Sequence, residues 1–463
     1  MKTGCDNMKI TNKISDYIFR GYDIRGIYEK DLTIDGVYTI GRGFGSVLKT
    51  TGKTETIIGY DNRESSPALY EALTKGITDS GITVISIGMV TTPMYYYALT
   101  HFKGTSGIMI TGSHNPKEYN GLKMTFNGVY NAYGETIQDF KAVVNDLDFV
   151  DGTGEIIKRN IKEDYINYIN STIKLGKRPL KVVLDAGNGT ASVVVKEVFE
   201  ALNINYIPIF CESDPTFPNH HPDSSIEENM KWLKEKVLEE KADVGFAFDG
   251  DADRFGVIDE NGKMMATDQA MIIFIRDLLP KISDKRISYD VKCSKAVDDE
   301  IKKLGGTPIC IQTGNSIHRA FIAKENNLFG GEYSGHVWFN DKFHGFDDGI
   351  YCALRMVEIL SYTDKPLSTL LDGVEKYYSS PVIKMKVPDE IKFEKIELVK
   401  KYCIDKGYKT LTIDGCKILF EDGFALIRAS NTSPNITTRY EGKTESRLKE
   451  IKTEFEKLLK KIL

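Results

Sequence analysis

The chain has 463 residues, of which 41% are hydrophobic and 27% charged, and its formal net charge is −5. This composition is typical of a folded globular protein and excludes a disordered chain, while the length predicts about three domains, with a small fourth one possible. The net negative charge argues against non-specific nucleic-acid binding.

The N-terminal segment and the cysteines bear on where the protein works. No apolar segment typical of a signal peptide lies near the N-terminus, and the apolar run MIIFI at 271–275 is too short to span a bilayer. The seven cysteines show no paired spacing, which is typical of reduced thiols. We therefore expect a cytoplasmic protein that has neither a membrane nor a nucleic acid as its partner.

Three parts of the chain repeat one order of predicted elements: a strand that ends in an aspartate, a turn, a helix and a second strand. The aspartates are Asp61, Asp185 and Asp290. Right-handed β-α-β connections of this kind build sheets that helices cover on both faces. Such units are common and their likeness could be coincidental, but their spacing matches the usual size of a domain. We therefore expect three related α/β domains, each with loops at one edge of its sheet.

A possible nucleophile follows the short apolar run at 108–110, which predicts a buried strand. The next segment, TGSHNPKEYNGLK at 111–123, begins with glycine, asparagine and proline, which favour a turn. Ser113 and His114 are therefore expected on an exposed loop at the carboxyl end of a strand, where open α/β sheets place ligands. From spacing alone, Ser113 is a nucleophile, with His114 adjacent and Lys123 further along, or part of an ordinary polar turn.

Three aspartates alternate along one predicted loop after the apolar segment 242–247, namely Asp249, Asp251 and Asp253. Three ionised carboxylates cannot stay close together without a cation, and a few hard oxygen ligands suit Mg²⁺. A calcium-binding EF-hand loop does not fit, because Arg254 occupies the position of its glycine and a strand precedes the loop. A solvated acidic turn is the remaining alternative.

Two further loops carry polar side chains that suit a phosphorylated sugar. Glu332, Ser334 and His336 alternate in the glycine-rich segment at 328–336, where they could face the hydroxyl groups of a polyol, although a simple hairpin turn explains the pattern nearly as well.

The segment RASNTSP at 428–434 combines the planar guanidinium of Arg428 with the small polar side chains of Ser430, Asn431 and Thr432. These groups could hold a phosphate monoester without hydrolysing it, and a helix cap or an Asx turn is the alternative.

The C-terminal part of the chain differs from the three repeated units. Residues 373–381 have the composition of a domain boundary. After them we expect a small α+β domain with an antiparallel sheet. Its predicted helices lie at 393–407 and 444–463, and its predicted strands at 382–387, 410–414, 417–420 and 424–428.

Taken together, five segments resemble the α-D-phosphohexomutase family, and most closely its bacterial phosphomannomutase/phosphoglucomutase group. They are FRGYDIRG at 19–26, TGSHNP at 111–116, DGDADR at 249–254, GEYSGH at 331–336 and RASNT at 428–432. Each segment alone is a weak signal, whereas five in this order are specific, and they cover essentially the whole chain.

The resemblance implies a heart-shaped arrangement of four domains, three related α/β sandwich domains with mixed sheets and a small C-terminal α+β domain. We place them at 1–155, 156–259, 260–375 and 376–463. In this order they would carry the phosphoserine loop, the metal loop, the sugar-recognition loop and the phosphate-binding loop.

The resemblance also implies a role for each candidate residue. Ser113 would carry a phosphoryl group and would bind one Mg²⁺ together with Asp249, Asp251 and Asp253. Catalysis would depend on Ser113, Lys123, His336 and Arg25. Arg25 and Lys292 could otherwise be solvated surface charges. The substrate would contact Tyr22, His114, Arg254, Lys292, Glu332, Ser334, Arg428, Ser430, Asn431 and Thr432.

The reaction that the resemblance implies interconverts the 1- and 6-phosphates of mannose, and also of glucose, through a phosphoserine enzyme and a hexose 1,6-bisphosphate. The bisphosphate would also serve as activator by priming the serine. Hexose phosphates would be the only partners of a monomer or weak dimer. The alternatives are specificity for glucosamine phosphate, a phosphatase of the haloacid-dehalogenase type, and a binding protein without catalysis.

Three positions depart from the pattern of the phosphomannomutase/phosphoglucomutase group. Asn315 stands where that group usually has histidine, with His318 as a possible replacement. Ala252 stands where glycine is commoner, and Tyr333 where the dual-specificity enzymes usually have methionine. These departures bear most directly on the preferred sugar.

Overall fold

The computed structural model describes residues 8–430 and 434–463, and these form four sheets with their helices. The first unit contains β1 (Ile24–Ile27), α1 (Ile34–Thr50), β2 (Glu55–Tyr60), α2 (Ser66–Asp79), β3 (Thr83–Met89), α3 (Thr92–His101), β4 (Gly107–Ile110), β5 (Tyr119–Thr125), α4 (Glu135–Asp146) and β6 (Ile156–Lys158). Its sheet has the order β1-β5-β4-β2-β3-β6. The strands β4, β2, β3 and β6 are parallel, whereas β5 is antiparallel to both of its neighbours.

The helices α1 and α2 pack unusually closely because glycines lie at their crossing. A Cβ atom on Gly41 would overlap the carbonyl of Leu73, and one on Gly76 would overlap the carbonyl of Tyr38. Gly41, in the middle of α1, and Gly76, near the end of α2, therefore allow the two helices to approach each other closely.

The second unit contains α5 (Lys162–Thr172), β7 (Lys181–Asp185), α6 (Val195–Ala201), β8 (Asn205–Ile209), α7 (Lys231–Glu240), β9 (Val244–Phe248), β10 (Phe255–Asp259) and β11 (Met264–Met265). Its sheet has the order β11-β10-β9-β7-β8. The pairs β7–β8 and β7–β9 are parallel, and the hairpin β9–β10 is antiparallel. The loop of this hairpin carries the three aspartates.

The third unit contains α8 (Thr267–Leu278), β12 (Arg286–Asp290), α9 (Lys295–Lys303), β13 (Thr307–Ile311), α10 (Asn315–Glu325), β14 (Phe329–Gly331), β15 (Val337–Phe339) and α11 (Gly349–Ser361). Its sheet has the order β13-β12-β14-β15, with a parallel pair β12–β13 and an antiparallel hairpin β14–β15. The three predicted strand–turn–helix–strand units are thus confirmed as β2-α2-β3, β7-α6-β8 and β12-α9-β13.

The fourth unit contains β16 (Tyr378–Ser379), β17 (Ile383–Lys386), α12 (Asp389–Asp405), β18 (Thr410–Leu411), β19 (Cys416–Phe420), β20 (Gly423–Ala429), β21 (Asn435–Gly442) and α13 (Glu445–Ile462). Its antiparallel sheet has the order β16-β21-β20-β19-β18, and β17 pairs with β21. This is the predicted α+β domain. The four-unit fold, with three related α/β units and a smaller last one, is confirmed.

One large core holds the first three units together. Its buried side chains include Tyr97 of the first unit, Phe199 and Phe246 of the second, and Phe274 and Phe339 of the third. The other face of the first sheet and the interior of the last unit form separate cores. The last unit is therefore folded around its own apolar side chains and meets the others through smaller contacts.

The predicted boundaries need correction at two positions. The boundary after residue 155 lies too early, because β6 completes the first sheet by pairing with β3. The boundary after residue 259 also lies too early, because β11 completes the second sheet by pairing with β10. Both strands are very short, so their pattern in the sequence is weak.

The sequence analysis also missed β21, which lies between two other strands of the last sheet. Its polar residues Thr438, Arg439 and Glu441 are buried. Arg439 lies 3.5 Å from the carboxylate of Asp268, and Glu441 accepts a hydrogen bond from the main chain of Lys295, both in the third unit. These contacts between units explain why the strand lacks an apolar pattern.

Among the described residues, none of the helices has both the length and the apolar character that crossing a membrane requires.

Candidate active site

Ser113 lies directly after β4 and its main chain is strained. Its φ angle is +47°, in the left-handed region that residues other than glycine rarely adopt. The residue is 4% exposed, so the expectation that Ser113 is exposed was wrong, although its loop is exposed at residues 116–118. Ser113 is buried because the aspartate loop of the second unit lies against it, and a Cβ atom on Gly250 would overlap the carbonyl of Ser113.

The structure brings Ser113 to the aspartate loop. Its Oγ atom lies 3.1 Å from Oδ2 of Asp249 and 3.2 Å from Nδ1 of His114. Burial, together with the charges of Asp253 and Asp251, raises the pKa of Asp249 well above its usual value. The nearest acidic group to the serine is thus a carboxyl group that strongly disfavours a negative charge unless a cation is present.

Lys123 joins the other two aspartates. Its Nζ atom lies 2.7 Å from Oδ2 of Asp251 and 2.6 Å from Oδ2 of Asp253. Burial disfavours the charged lysine, but the two carboxylates outweigh this effect and hold the pKa of Lys123 well above its usual value. Thr92 and Thr111, which the sequence analysis did not single out, also donate hydrogen bonds to Oδ2 of Asp251.

The three carboxylates fit a divalent cation. One oxygen atom from each of Asp249, Asp251 and Asp253 lies within 4.8 Å of the others, and all three side chains are buried. In the described part of the chain, Oδ1 of Asp251 and Oδ1 of Asp253 are buried without a hydrogen-bond partner. Two oxygen atoms that nothing else satisfies, beside Ser113, form a donor set that hard cations prefer.

The left-handed conformation of Ala252 shapes this loop. Its φ angle is +64°, which explains why glycine is the commoner residue at this position. The side chain is fully buried in the large core. Packing of this methyl group therefore offsets part of the free-energy cost of the strained main chain.

His336 connects the aspartate loop to the third unit. Arg254 donates a hydrogen bond from Nε to Nε2 of the histidine at 2.9 Å, and Asp347 lies 2.7 Å from its Nδ1 atom. The hydrogen of the neutral ring is therefore on Nδ1 and faces Asp347. Asn315 donates a hydrogen bond to the same carboxylate oxygen. Asp347 was missed by the sequence analysis, because only the folded chain brings it to His336.

His318 does not take the place of a histidine at position 315. It is fully buried, stacks on Trp338 and lies 2.9 Å from the hydroxyl of Ser288. Burial lowers its pKa to about 3, so the ring is neutral. His318 belongs to the interior of the third unit.

The loop predicted to recognise the sugar is held in place by Glu332. Its Oε1 atom accepts a hydrogen bond from the main chain of Gly314 at 2.8 Å, and its Oε2 atom accepts one from Ser334 at 2.8 Å. The ring of Tyr22, from the first unit, lies so close to Gly314 that a Cβ atom there would fall 2.9 Å from it. Glu332, Ser334 and Tyr22 therefore lie in one region between the first and third units.

The last unit contributes Arg428. Its Nε atom donates to Asp414 at 2.8 Å, and the same aspartate accepts a hydrogen bond from the main chain of Thr313. In the described residues the buried Nη2 atom of Arg428 has no partner. Ser430 is also buried, and its main chain bonds to that of Asn435. The predicted residues Asn431 and Thr432 lie outside the described residues.

Arg25 and Lys292 are not solvated surface charges. Arg25 donates to the side chain of Asn115 at 3.1 Å and pairs with Asp23. Lys292 is buried and lies 3.3 Å from Asp290. Arg25 lies within β1 and contacts the serine loop through Asn115. Lys292 follows the carboxyl end of β12, where its partner Asp290 also accepts a hydrogen bond from the main chain of Tyr333.

A serine beside a buried carboxylate cluster, with Lys123 of the first unit and Arg254 of the second unit next to these carboxylates, can handle a phosphoryl group. Transfer of such a group depends mainly on positioning and on neutralisation of charge. The fold and the site are those of a phosphoryl-transfer enzyme built from three α/β units and a smaller fourth one.

Comparison of the sequence with known domain families finds a match in each unit. Phosphoglucomutase/phosphomannomutase alpha/beta/alpha domains I, II and III match residues 16–151, 163–262 and 266–377, and the C-terminal domain of the same proteins matches residues 382–458. The chain belongs to the phosphoglucomutase/phosphomannomutase family.

Individual relatives cover nearly the whole chain. A phosphoglucomutase of Neisseria meningitidis is 40% identical over 96% of this chain and 96% of its own. A phosphomannomutase/phosphoglucomutase of Pseudomonas aeruginosa is 39% identical over the same shares. A crystal structure of a family protein from Burkholderia thailandensis superimposes with a TM-score of 0.90 at 35% identity, covering 97% of this chain and 98% of the other.

Proposed function

We propose that this protein is a hexose-phosphate mutase that interconverts the 1- and 6-phosphates of mannose and of glucose through a phosphoserine at position 113. The observation that carries the proposal is the position of Ser113 Oγ, 3.1 Å from Asp249 within a buried cluster of three carboxylates and Lys123. Relatives with both activities in their names, at about two-fifths identity, support the substrate class.

In the first half of the reaction, the bond between the phosphorus and Oγ of Ser113 breaks while a bond forms to the free hydroxyl oxygen of the sugar phosphate. We assign the hydroxyl proton to Nε2 of His336, which Asp347 keeps unprotonated and which the sugar hydroxyl would reach in place of Arg254. The product of this half is a hexose 1,6-bisphosphate. After the bisphosphate turns end for end, its other phosphoryl group returns to Ser113 and the proton returns to the sugar oxygen.

Charge on the transferred group must be neutralised throughout. Lys123 and Arg25 lie beside the serine loop, Arg254 of the second unit lies 3.9 Å from Oδ2 of Asp249, and His114 contacts the hydroxyl of Ser113. Lys292 would add positive charge from the third unit. We propose Mg²⁺ as the cation held by Asp249, Asp251 and Asp253 with the oxygen of Ser113, where it would supply positive charge to the phosphoryl oxygens.

The remaining predicted residues would orient the substrate. Glu332 and Ser334 would bind sugar hydroxyls near Tyr22, and Arg428 would hold the phosphate that is not being transferred, together with Ser430, Asn431 and Thr432. The distal phosphate would thus be held by the last unit, which folds around a core of its own. Hexose 1,6-bisphosphate would prime an unphosphorylated serine and so act as an activator.

The test compares kcat/KM for the 1-phosphates of mannose, glucose and glucosamine, with hexose 1,6-bisphosphate present. Turnover of the first two at comparable rates supports the proposal. Preference for glucosamine 1-phosphate would show that the enzyme is specific for glucosamine phosphate. Release of inorganic phosphate without isomerisation would identify a phosphatase, and tight binding without any turnover would identify a binding protein.

We further propose that the protein works in the cytoplasm as a monomer or weak dimer. The six cysteines in the described residues are free, which agrees with a reducing compartment. Light scattering during size-exclusion chromatography at several protein concentrations tests the oligomeric state.

A further inference from the structure

Arg63 is a buried arginine at the turn between β2 and α2, and no role in the reaction has been assigned to it above. It is 1% exposed. It follows Asp61 by two positions, as Lys292 follows Asp290 in the third unit. Lys292 lies beside the candidate substrate region of the third unit. Arg63 lies beneath the loop that carries Ser113 in the first unit.

The guanidinium group of Arg63 holds four carbonyl oxygens of the serine loop. Its Nη2 atom donates to the carbonyls of Ser113 and Asn115, both at 2.7 Å. Its Nη1 atom donates to the carbonyls of Pro116 at 2.6 Å and Tyr119 at 2.9 Å. A planar fork with several N–H groups can satisfy such a set at once, and the single ammonium group of lysine cannot.

The arginine is itself fixed from the other side. Its Nε atom lies 3.2 Å from Oδ2 of Asp61, and the same oxygen accepts a hydrogen bond from the main chain of Gly112 at 3.1 Å. A Cβ atom on Gly112 would overlap the guanidinium group. The residue before the serine must therefore be glycine for the guanidinium to lie flat beneath the loop.

The remaining carbonyl in this stretch is also held. His221, from the second unit, lies 2.7 Å by its Nε2 atom from the carbonyl of His114. The carbonyl oxygens of residues 113 to 116 are thus all anchored by side chains. Such anchoring is what a left-handed, strained residue such as Ser113 requires, because strain persists only where the surroundings determine the conformation.

We infer that Arg63 is a positioning residue for phosphoryl transfer at Ser113, which rests on the proposed function. It fixes the main chain of the serine loop so that Oγ keeps its direction toward Asp249 whether or not the serine carries a phosphoryl group. Arg63 does not touch the transferred group and acts through the loop. Displacement of reacting atoms by about 1 Å can cost about 100-fold in rate.

The test is Arg63→Lys, with Arg42→Lys as matched control. Arg42 is also a buried arginine of the first unit that bonds to a carbonyl, that of Val150, far along the chain from the serine loop. For Arg63→Lys we expect kcat to fall about 100-fold while KM for the sugar phosphate stays within about threefold, because the groups that bind the distal phosphate are untouched. Arg42→Lys should keep kcat within about threefold of the wild type.

The inference is overturned if Arg63→Lys keeps kcat within about threefold, or if its loss matches the unfolded fraction measured by circular dichroism. If Arg63→Lys does not fold, Gly112→Ala serves instead, since it pushes the guanidinium aside and keeps its charge. That variant should also lose about 100-fold in kcat, and wild-type turnover would contradict the inference.

The experiments distinguish a failure of the proposed mutase function from a failure of the inference about Arg63. If the wild-type protein turns over none of the three sugar phosphates, the mutase proposal fails. Mass spectrometry of the protein incubated with hexose 1,6-bisphosphate then still reports on Arg63, because the variant should gain phosphate on Ser113 about 100-fold more slowly than the wild type. Equal rates would overturn the inference.

Discussion

Asp347 lies 2.7 Å by its Oδ2 atom from Nδ1 of His336, and both side chains are buried. This contact fixes the hydrogen on Nδ1, because Arg254 donates to the opposite ring nitrogen. The nitrogen that faces Arg254, Nε2, is thus kept as a hydrogen-bond and proton acceptor. The arrangement depends on two loops of the third unit meeting the aspartate loop of the second.

Replacement of Asp347 by asparagine should lower kcat by about 100-fold, because an amide can donate to Nδ1 and allow the hydrogen to move to Nε2. The KM for the sugar phosphate should change little. Steady-state kinetics of Asp347→Asn check this, with Asp341→Asn as control, since Asp341 is a partner of Arg355 away from the site. A variant with wild-type kcat would show that Asp347 has no part in proton transfer.

Lys123 should stabilise the metal-free site, because it is the cation that bridges Asp251 and Asp253. Its replacement by methionine leaves these buried carboxylates without their partner, which should cost about 3 kcal/mol of stability in the presence of a chelator. Mg²⁺ should recover part of this loss, since a cation restores the charge balance.

Thermal unfolding of Lys123→Met in chelator and in Mg²⁺ measures both effects. The control is Lys75→Met, which removes an exposed partner of Asp79 and should change stability little. If Mg²⁺ raises the melting temperature of Lys123→Met no more than that of the wild type, the three aspartates do not form the cation site.

The buried carboxyl group of Asp348 should make the free energy of unfolding depend on pH. It begins α11 and accepts a hydrogen bond from Tyr165, and burial raises its pKa to about 7. Between the ordinary aspartate value of about 4 and the raised value, the folded protein holds a proton that the unfolded chain has released. This contribution to stability is therefore lost as the pH rises from about 4 through 7.

Replacement by asparagine removes the titration and keeps a residue that can begin the helix. Relative to Asp348→Asn, the wild type should lose about 2 kcal/mol of stability between about pH 5 and pH 7. Denaturant unfolding across this range checks the difference, with the exposed Asp364→Asn as control. A constant difference across the range would mean that Asp348 is ionised throughout in the folded protein.

Arg428 should bind substrate and not take part in the chemical step. Its replacement by lysine removes the planar fork and should raise KM by about tenfold or more, with a smaller change in kcat. Inhibition of turnover by inorganic phosphate gives an independent measurement. It should weaken in Arg428→Lys in parallel with the rise in KM, because inorganic phosphate competes for the same site. An unchanged KM would place the distal phosphate elsewhere.

The sequence was sufficient to predict those parts of the site whose residues lie close together in the chain. The alternation of Asp249, Asp251 and Asp253 led to the carboxylate cluster, and the turn after an apolar strand led to Ser113. Chain order alone could not show that Arg63 lies beneath the loop, since its partners are distant in sequence.

The same limit explains the errors in the fold. Ser113 was expected on an exposed loop because its segment is polar, and only packing of the second unit against the first buries it. The strand β21 escaped prediction because Arg439 and Glu441 are polar side chains buried between units. Alternating apolar residues predict strands reliably only where one unit supplies the whole core.

The most direct measurement is the site of phosphate in the enzyme after incubation with hexose 1,6-bisphosphate, mapped by mass spectrometry of its peptides. We predict phosphate on Ser113, its loss on addition of a hexose monophosphate, and neither labelling nor turnover in Ser113→Ala. Phosphate on Asp249, or unchanged turnover by Ser113→Ala, would show that Ser113 does not carry the phosphoryl group.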